Sequence, residues 1–364
     1  MSNTYCIIMA GGVGSRFWPL STTQKPKQFL DILGTGKSLL RMTFERFLKI
    51  TPQSHIFVVT NNDYLELVKE ELPELAVSNI ICEPARRNTA PCLAYASYKI
   101  QEINKDAIVV VTPSDHLILN EDIFIDNVNL ALNNAAGKDA FISIGIKPTR
   151  PDTGYGYIQM NPNTPEGFGQ EVKKVKTFTE KPALELAKTF VESGEFVWNA
   201  GIFVTSLQTM LTAFDLHLPE VGDLFKEGVD KKVYNTNKEW DFIRQAYLVC
   251  KSIPIDTGIF EKAPNVYVIE AGFGWSDLGT WGSIYENVKK DENGNVVLSD
   301  HAMFYHTKNC VVRAADNKLV VVQGLEDYLI IDTEKALLIC KKSEEQEIKE
   351  IVNQVKIEKG EEFV

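Results

Sequence analysis

The sequence predicts an α/β fold, in which a Rossmann-like mixed, mostly parallel sheet carries helices on both faces and a small C-terminal β unit follows. Two observations predict the sheet: Val- and Ile-rich runs recur up to about residue 145, and helical patterns separate them. A third observation concerns the chain after Lys290, where short strand-like runs replace the helices and a helical apolar stripe comes last. Continuous apolar strands joined by helices are typical of a sheet that is buried on both faces.

The predicted elements follow the chain in order. The first strands are Tyr5–Ala10, His55–Thr60, Asn79–Cys82, Ala107–Thr112 and Ala140–Ile146, and the helices between them lie near Ser38–Leu48, Asp63–Glu70, Thr89–Ile103 and Asp122–Ala136. Turn-rich residues 148–157 and a loop or hairpin tip at 161–169 interrupt this alternation. The next strands are Val172–Thr179, Trp198–Val204 and Val266–Glu270, with helices over Leu184–Ser193, about Ser206 to Lys226, and Glu239 to Lys251.

The C-terminal region predicts a smaller domain. Its strands are Asn295–Leu298, Cys310–Ala314, Lys318–Gln323, Tyr328–Asp332 and Ala336–Cys340. The last helix is predicted to begin with a capping box at Ser343–Gln346, because a serine followed three residues later by glutamine suits that motif. Its apolar stripe consists of Ile348, Ile351, Val352 and Val355. We therefore expect two domains, over residues 1–285 and 286–364.

The composition excludes several classes of protein. The 364-residue chain is 44% hydrophobic and 24% charged, as expected of a soluble globular protein, and its net charge is −11. This charge argues against duplex nucleic acid or an anionic membrane as the main partner. The six cysteines are scattered without a Cys-x-x-Cys pair, and no apolar run approaches the roughly 20 residues of a membrane span. We expect a cytoplasmic protein that binds neither nucleic acid nor membrane.

A glycine-rich segment after the first strand, Met9–Lys27, predicts an anion site. Closely spaced glycines allow a tight bend with exposed N–H groups, which is a shape suited to phosphate. The glycines are Gly11, Gly12 and Gly14, and the nearby cations are Arg16, Lys25 and Lys27. Solvated surface charge is the commoner role of such cations, but their clustering behind a strand end favours phosphate binding.

Two familiar phosphate motifs do not fit this chain. A dinucleotide fingerprint needs a third glycine where Phe17 stands, and an acidic residue after the second strand, which ends at Asn61 instead. Gly34–Ser38 imitates the end of a Walker A loop, but Asp31 stands in place of the first glycine and no strand immediately precedes it. We interpret Gly34–Ser38 as a turn before a helix.

Polar residues at other strand ends are further candidates, each with a simpler alternative. Asp115 suits a divalent cation or the cap of a turn, and Asp277 offers a second carboxylate. Glu180 and Lys181 suit a sugar hydroxyl and a phosphate, or form a surface ion pair. The segment Arg86–Thr89 suits an anion or a base, or caps the next helix. Spacing alone leaves these alternatives open.

Eight stretches, taken together and in order, resemble the sugar-1-phosphate nucleotidyltransferases, specifically the mannose-1-phosphate guanylyltransferases (GDP-mannose pyrophosphorylases). They are Ala10–Pro19, Lys25–Phe29, Glu83–Pro91, Pro113–His116, Gly154–Ile158, Phe178–Pro182, Trp198–Phe203 and Gly274–Gly279. The resemblance implies transfer of GMP from GTP to α-D-mannose 1-phosphate, giving GDP-mannose and diphosphate, with Mg²⁺ as cofactor. Such in-line phosphoryl chemistry depends on positioning and charge neutralisation rather than on a nucleophilic side chain.

Two alternatives stay open within this resemblance. One is a nucleotidyltransferase for another sugar 1-phosphate or nucleotide, such as a heptose 1-phosphate or ATP. The other is a non-catalytic regulatory subunit that senses GDP-mannose, and the presence of Asp115, Asp277, Lys27 and Lys181 argues against it.

Matching positions give the residue roles that the resemblance implies. The nucleotide is assigned to Gly11, Gly12, Gly14, Ser15, Arg16, Lys27, Arg87, Asn88, Thr89, Ser114 and Asp115, and the sugar phosphate to Gly154, Tyr155, Glu180, Lys181, Asn199 and Asp277. Asp115 and Asp277 are the metal ligands, and the catalytic residues are these two with Arg16, Lys27 and Lys181. The chain resembles the family's short form, which lacks a C-terminal cupin and ends in a left-handed β-helix-like unit with a terminal helix. Members are often dimers, so we expect a homodimer.

Overall fold

The computed structural model describes residues 3–315 and 318–364. It forms two compact units. Unit 1 comprises the chain up to Gly11 together with Phe44–Ser114 and Ile118–Trp275, and unit 2 comprises Gly12–Thr43, Asp115–Leu117 and Ser276–Val364. The domain boundary predicted between residues 285 and 286 stays a prediction.

The strands and helices alternate along the chain. The strands are β1 Thr4–Ala10, β2 Ile56–Asn61, β3 Ile80–Glu83, β4 Ile108–Pro113, β5 Leu117–Ile118, β6 Phe141–Ile146, β7 Gly156–Met160, β8 Val172–Glu180, β9 Phe196–Ser206, β10 Val266–Ala271, β11 Trp275–Ser276, β12 Val296–Leu298, β13 Ala302–Tyr305, β14 Val311–Arg313, β15 Val320–Gln323, β16 Tyr328–Asp332 and β17 Leu337–Lys341. The helices are α1 Leu39–Leu48, α2 Leu65–Glu71, α3 Thr89–Gln101, α4 Glu121–Ala135, α5 Leu184–Ser193, α6 Leu207–His217, α7 Pro219–Asp230, α8 Glu239–Val249, α9 Trp281–Asn287 and α10 Ile348–Lys359.

Unit 1 is built on a nine-stranded mixed sheet, which confirms the predicted fold class. The strand order is β3-β2-β1-β4-β9-β6-β10-β8-β7. The first four strands run parallel, so the ends of β1 and β4 reach the same edge, with Met9 beside Pro113. Strand β9 is antiparallel to β4 and β6, its neighbours in this order, and it also pairs antiparallel with β7. Tyr5 and Ile7 pack with α3 and α6, and the alternating Cys6 and Ile8 are also buried, so both faces of β1 are covered.

Some predicted elements differ from the structure. The single helix predicted from Ser206 to Lys226 is two helices, α6 and α7, because the chain turns at Leu218 and Pro219 occupies the first position of α7. Strand β7 occupies part of the segment predicted as a turn-rich bend, and β13 is an additional strand. The predicted capping box does not form in the described chain: Ser343 lies inside a 3-10 helix, Lys342–Glu347, and α10 begins afterwards.

Unit 2 combines the glycine-rich segment with a small β-helix-like stack. Strands β12, β14 and β16 pair in parallel, β17 closes this sheet antiparallel to β16, and β13 pairs in parallel with β15. One apolar cluster joins Phe17 and Trp18 to Trp281 and to these strands. The stripe predicted for the last helix is confirmed, since Ile348 is fully buried there and Ile351, Val352 and Val355 pack against the cluster.

None of the helices in the described residues has the length and apolar character needed to cross a membrane.

Candidate active site

The glycine-rich loop of unit 2 is folded around Gly14. Gly14 has φ 70°, and its carbonyl accepts a hydrogen bond from the Phe17 N–H at 2.9 Å, which starts a 3-10 turn over Ser15–Phe17. A Cβ at position 14 would lie 2.5 Å from the Cβ of Lys27. Only glycine combines this left-handed conformation with so close an approach. Glycine at position 14 therefore permits the close approach of the Lys27 side chain.

Replacing Gly14 with alanine should disturb Lys27 as well as strain the backbone. The positive φ alone should lower the free energy of unfolding by about 1–2 kcal/mol. Displacement of Lys27 should in addition lower turnover by about a hundredfold, because small misplacements at a reacting centre are costly. The matched control is Gly34→Ala, since Gly34 has φ 69° but open space around its Cβ position. Urea unfolding and turnover of both variants test this, and equal turnover in the two would contradict the role of Gly14.

Lys27 is the centre of a charged group in unit 2. Its side chain is buried, at 5% exposure. The ammonium lies 3.0 Å from Asp115 Oδ2 and donates a hydrogen bond to the backbone carbonyl of Asp277 at 2.7 Å. It also lies 5.6 Å from the centre of the Phe17 ring. The structure thus brings together three residues that are far apart in the sequence, Lys27, Asp115 and Asp277.

The two carboxylates are held in different ways. Burial alone would raise the pKa of Asp115, but the charges of Lys27 and His116 and the hydrogen bond from Lys27 outweigh it, so the pKa lies below its usual value. Asp115 is therefore ionised at neutral pH, with its side chain 30% exposed. Asp277 Oδ1 accepts a hydrogen bond from the Gly279 N–H at 2.9 Å, which sets the turn before α9.

The donor set suits a hard divalent cation. No group of three or more potential ligand side chains gathers anywhere in residues 3–315 and 318–364. Two carboxylates are nevertheless a common protein contribution for Mg²⁺, which fills its remaining positions with waters and substrate phosphates. Asp115 places a carboxylate beside the Lys27 ammonium, while Asp277 contacts that ammonium through its backbone carbonyl.

The rest of the loop faces outward. Gly12 and Arg16 are exposed, and Ser15 is half-buried. The Gly12 carbonyl is held by the side-chain amide of Gln28 at 3.0 Å, and the Val13 carbonyl accepts from the Lys27 N–H at 3.3 Å. The loop backbone is therefore tied to the segment that follows it, while the Arg16 side chain remains accessible to a ligand.

A second set of predicted residues gathers on β7, β8 and β9 in unit 1. Glu180 lies opposite Gly156 in the pairing of β8 with β7, and a Cβ at Gly156 would lie 2.6 Å from Glu180 Oε2 and 3.5 Å from the Cβ of Asn199. Lys181 has φ 46° and forms an exposed ion pair with Glu180. The structure therefore brings Glu180, Lys181 and Asn199 together, and Gly156 permits it.

The loop before β7 carries the other two residues assigned to the sugar phosphate. Gly154 is exposed, and its N–H donates to Asp152 Oδ1 at 2.8 Å. Tyr155 is buried between Trp198 and Trp275, with ring centres 5.0 and 5.1 Å away. The aromatic contacts anchor this loop beside the exposed Gly154.

Asp256 joins this second set, and sequence reasoning missed it. Its Oδ1 accepts a hydrogen bond from Asn199 Nδ2 at 2.9 Å, while Asn199 Oδ1 accepts from the Gly201 N–H at 3.0 Å. Burial and the nearby charge of Glu180 raise the pKa of Asp256, although the bond from Asn199 opposes this. Asn199 is thereby held in one orientation, with one N–H and one oxygen lone pair left for a ligand.

The segment Arg87–Thr89 begins α3 in the same unit. Asn88 is at the N-cap position with φ 67°, but its side chain makes no capping hydrogen bond among the described residues, and the Thr89 hydroxyl accepts from the Ile255 N–H at 2.8 Å instead. Arg87 Nε donates to the Tyr247 carbonyl at 3.4 Å. Ile255 precedes Asp256, so one short segment contacts both Thr89 and, through Asp256, Asn199.

Two further predicted residues lie at the carboxyl edge of the sheet. The Ser114 N–H donates to the Met9 carbonyl at 3.0 Å, and the Ser114 side chain is buried. A Cβ at Gly11 would lie 4.0 Å from Glu83 Oε2, which is ordinary van der Waals contact. Glu83 ends β3 and is another residue that sequence reasoning gave no role.

Glu83 should make stability depend on pH. Burial raises its pKa to about 7, against the opposing hydrogen bond from the Tyr247 hydroxyl at 2.8 Å. Folding raises the pKa of this carboxyl group. The group therefore contributes its full stabilisation at a pH below its pKa in the unfolded chain, near 4.5, and that stabilisation is lost as pH rises through about 7. The difference in free energy of unfolding between the wild type and Glu83→Gln should change with pH. The wild type should lose about 2–3 kcal/mol relative to the variant between pH 4 and pH 8. Parallel urea titrations test this, and a constant difference would contradict it.

The comparisons with known proteins agree with this fold. A family described as nucleotidyl transferase matches residues 5–294, and one described as MannoseP isomerase/GMP-like beta-helix domain matches residues 300–355. Mannose-1-phosphate guanylyltransferase of Escherichia coli is 35% identical over 95% of this chain and 74% of its own length. The Salmonella montevideo protein of the same name is 35% identical over 98% of this chain and 75% of its own length. The chain spans about three quarters of both relatives.

A solved structure extends the match to three dimensions. The crystal structure described as mannose-1-phosphate geranyltransferase from Thermus thermophilus superimposes with a TM-score of 0.86 at 27% identity, covering 97% of this chain and 99% of that one. The mixed sheet, the glycine-rich loop and the β-helix-like stack thus define a nucleotidyltransferase. Within that class, the chain belongs to the mannose-1-phosphate guanylyltransferase family.

Proposed function

We propose that this protein transfers GMP from GTP to α-D-mannose 1-phosphate, giving GDP-mannose and diphosphate. The observation that carries the proposal is the buried Lys27 ammonium, which contacts both Asp115 and Asp277 behind the glycine-rich loop. This arrangement suits a nucleoside triphosphate with its cation, because it combines a fixed positive charge with the carboxylate of Asp115 and brings in the residue that carries a second carboxylate, Asp277. The names of these two relatives support the choice of substrate.

In the proposed reaction, a phosphate oxygen of the sugar phosphate attacks the α-phosphorus of GTP. The bond from the α-phosphorus to the bridging oxygen breaks, and diphosphate leaves with that oxygen. The N–H groups of Gly11, Gly12, Gly14 and Ser15 hold the triphosphate, while Arg16 and Lys27 stabilise the charge that develops on diphosphate. Arg87, Asn88, Thr89 and Ser114 hold the rest of the nucleotide.

The acceptor is assigned to the second set of residues. Glu180 and Asn199 bind mannose hydroxyls, Gly154 approaches the sugar through its backbone, and Tyr155 anchors the loop. Lys181 binds the sugar phosphate. Asp115 and Asp277 are the proposed ligands of Mg²⁺, which when bound would neutralise phosphate charge. The chain itself then contributes binding, orientation and fixed charge rather than a covalent step.

The proposal also includes the oligomeric state of the protein and its cellular location. We infer a homodimer, since Met303 and Val321 lie side by side on β13 and β15 and are 46% and 55% exposed. A cytoplasmic location is supported by the six cysteines, which are all free.

A matrix of nucleotides and sugar 1-phosphates tests the substrate assignment. Purified protein with Mg²⁺ is assayed for diphosphate release with GTP or ATP against mannose, glucose and heptose 1-phosphates. We expect GTP with mannose 1-phosphate to give the highest kcat/KM. An equal or higher kcat/KM with another pair of substrates would contradict the assignment of mannose 1-phosphate. Tight binding of GDP-mannose without turnover of any pair would instead favour the regulatory alternative.

A further inference from the structure

Asp256 holds the side-chain amide of Asn199 in one orientation. Its Oδ1 accepts a hydrogen bond from Asn199 Nδ2 at 2.9 Å, while Asn199 Oδ1 accepts from the Gly201 N–H at 3.0 Å. Exchanging the oxygen and nitrogen of this amide would set its oxygen against a carboxylate and its NH2 group against an N–H donor. The orientation is therefore fixed from both ends, and the carboxylate of Asp256 is the side chain that fixes the nitrogen end.

The fixed amide lies beside the carboxylate of Glu180. A Cβ at Gly156 would lie 2.6 Å from Glu180 Oε2 and 3.5 Å from the Cβ of Asn199, so both side chains border the same glycine. An ionised carboxylate only accepts hydrogen bonds, whereas the amide still has one N–H to donate and one lone pair to accept. A hydroxyl group both donates and accepts. The pair therefore suits the hydroxyl groups of a sugar, in an arrangement set by the direction of the amide.

The main chain before Asp256 is held by the segment that begins α3. The Ile255 N–H donates to Thr89 Oγ1 at 2.8 Å, and the Ile253 N–H donates to the Arg87 carbonyl at 3.3 Å. Both bonds come from main-chain N–H groups. Replacing the Asp256 side chain therefore leaves their donors and acceptors in place.

The chain after Asp256 packs against β8 and β9. Asp256 begins a π-helical turn that ends at Phe260. The centre of the Phe260 ring lies 5.8 Å from that of Phe178 on β8 and 4.8 Å from that of Phe203 on β9. The carboxylate of Asp256 is thus supported from both sides, and it holds Asn199 from a well-packed segment of unit 1.

We infer that Asp256 is a positioning residue, which sets the preference for one sugar phosphate by fixing the Asn199 amide beside Glu180. The inference rests on the proposed function, which assigns mannose hydroxyls to Glu180 and Asn199. Asp256 touches no substrate in this scheme and acts through Asn199. Without its carboxylate the amide is free to turn, so it accommodates hydroxyl groups of another configuration and discriminates less between epimers. Nucleotide recognition should not change, because the main-chain bond to Thr89 remains.

Kinetics with two epimeric acceptors test the inference. Asp256→Ala is compared with the wild type, using GTP with mannose 1-phosphate or with glucose 1-phosphate, which differ only in configuration at C2. KM for mannose 1-phosphate should rise about tenfold in the variant, since the loss of a hydrogen bond to a charged group has effects of this size. The preference for mannose 1-phosphate, measured as the ratio of the two kcat/KM values, should fall about tenfold as well. KM for GTP should stay unchanged.

The matched control is Asp139→Ala, which removes the same kind of hydrogen bond elsewhere in unit 1. Asp139 Oδ1 accepts from Asn265 Nδ2 at 2.9 Å. This pair lies just before β6 and β10, whereas Asn199 lies opposite Gly145, near the other end of β6. The control should keep the KM values and the preference of the wild type. Equal changes in Asp139→Ala and Asp256→Ala would contradict a specific role of Asp256.

Two further variants show whether Asp256 acts through Asn199. In the Asn199→Ala background, Asp256→Ala should change the preference by less than about threefold, because residues that act through one group are not additive. Asp256→Asn keeps an oxygen acceptor for Asn199 but loses the charge that strengthens the bond, so its preference should fall between those of the wild type and Asp256→Ala. Thermal unfolding shows which variants fold, and Asp256→Asn carries the test if Asp256→Ala does not.

Several outcomes would overturn the inference. An active wild type that prefers mannose 1-phosphate, with the same preference in the folded Asp256 variant, would remove Asp256 and leave the proposed function intact. The same loss with and without Asn199 would show that Asp256 does not act through the amide. Equal rises in KM for GTP and for mannose 1-phosphate would indicate a general disturbance of the site instead of a positioned amide. A wild type that turns over no pair of substrates would overturn the proposed function, and the inference with it.

Discussion

Lys27→Met is expected to lower turnover by about two to three orders of magnitude, which is the range for removing one fixed charge from a transition state. Methionine nearly matches the length and volume of the lysine side chain, but it cannot contact Asp115 or Asp277 through an ammonium. Asp115 would lose the main positive charge that keeps its pKa low. Initial rates of diphosphate release at saturating substrates measure the effect.

The same variant should also be less stable. Because Asp115 is 30% exposed, solvent screens part of the loss, and we expect the free energy of unfolding to fall by about 1–2 kcal/mol at neutral pH. A carboxylate with a lowered pKa contributes stability that is lost as pH falls, so this difference should shrink below about pH 4.

The matched control for Lys27→Met is Lys37→Met. Lys37 is exposed and belongs to Gly34–Ser38, the segment that imitates a Walker A loop. Normal turnover in Lys37→Met and strong loss in Lys27→Met are expected. The reverse pattern would contradict our interpretation of both segments.

The fold class could be predicted because its signals are local. Val- and Ile-rich runs such as β1 and β4 differ sharply from the helices between them, and their ends were predicted to within a residue or two. Strand β7 was not predicted, because its glycine and tyrosines resemble the turn before it. The break between α6 and α7 was missed although Pro219 marks it, since the apolar helical pattern continues across the proline.

The sequence predicts the site residues that lie in motifs, but not those that only long-range contacts bring into the site. The loop at Gly11–Arg16 and the residues Asp115 and Asp277 lie in motifs, but the burial of Lys27 against them depends on the close approach at Gly14. Asp256 stands alone in the sequence, and it reaches Asn199 only because the chain after α8 returns to β9. Glu345 lies in an acidic run that looks like solvated surface, yet its side chain accepts a hydrogen bond from the Gly282 N–H. No periodicity or spacing signals such long-range contacts.

Asp115→Asn and Asp277→Asn are expected to lower turnover by about two to three orders of magnitude each, because each removes one of two carboxylates proposed to hold Mg²⁺. Asparagine keeps the shape of both side chains, and at position 277 it keeps an acceptor for the Gly279 N–H. The fold should therefore survive in both variants, as thermal unfolding would show.

The dependence of turnover on Mg²⁺ separates a ligand from a residue that only shapes the turn. Protein freed of metal with a chelator is assayed over a series of Mg²⁺ concentrations, for the wild type and for both asparagine variants. Both variants should need more Mg²⁺ for half-maximal rate than the wild type, because fewer carboxylates attract the cation. Asp31→Asn is the control, since Asp31 holds a turn through the Thr35 and Gly36 N–H groups and lies outside the proposed site. A variant at 115 or 277 with a normal rate and a normal Mg²⁺ requirement would remove that residue from the mechanism.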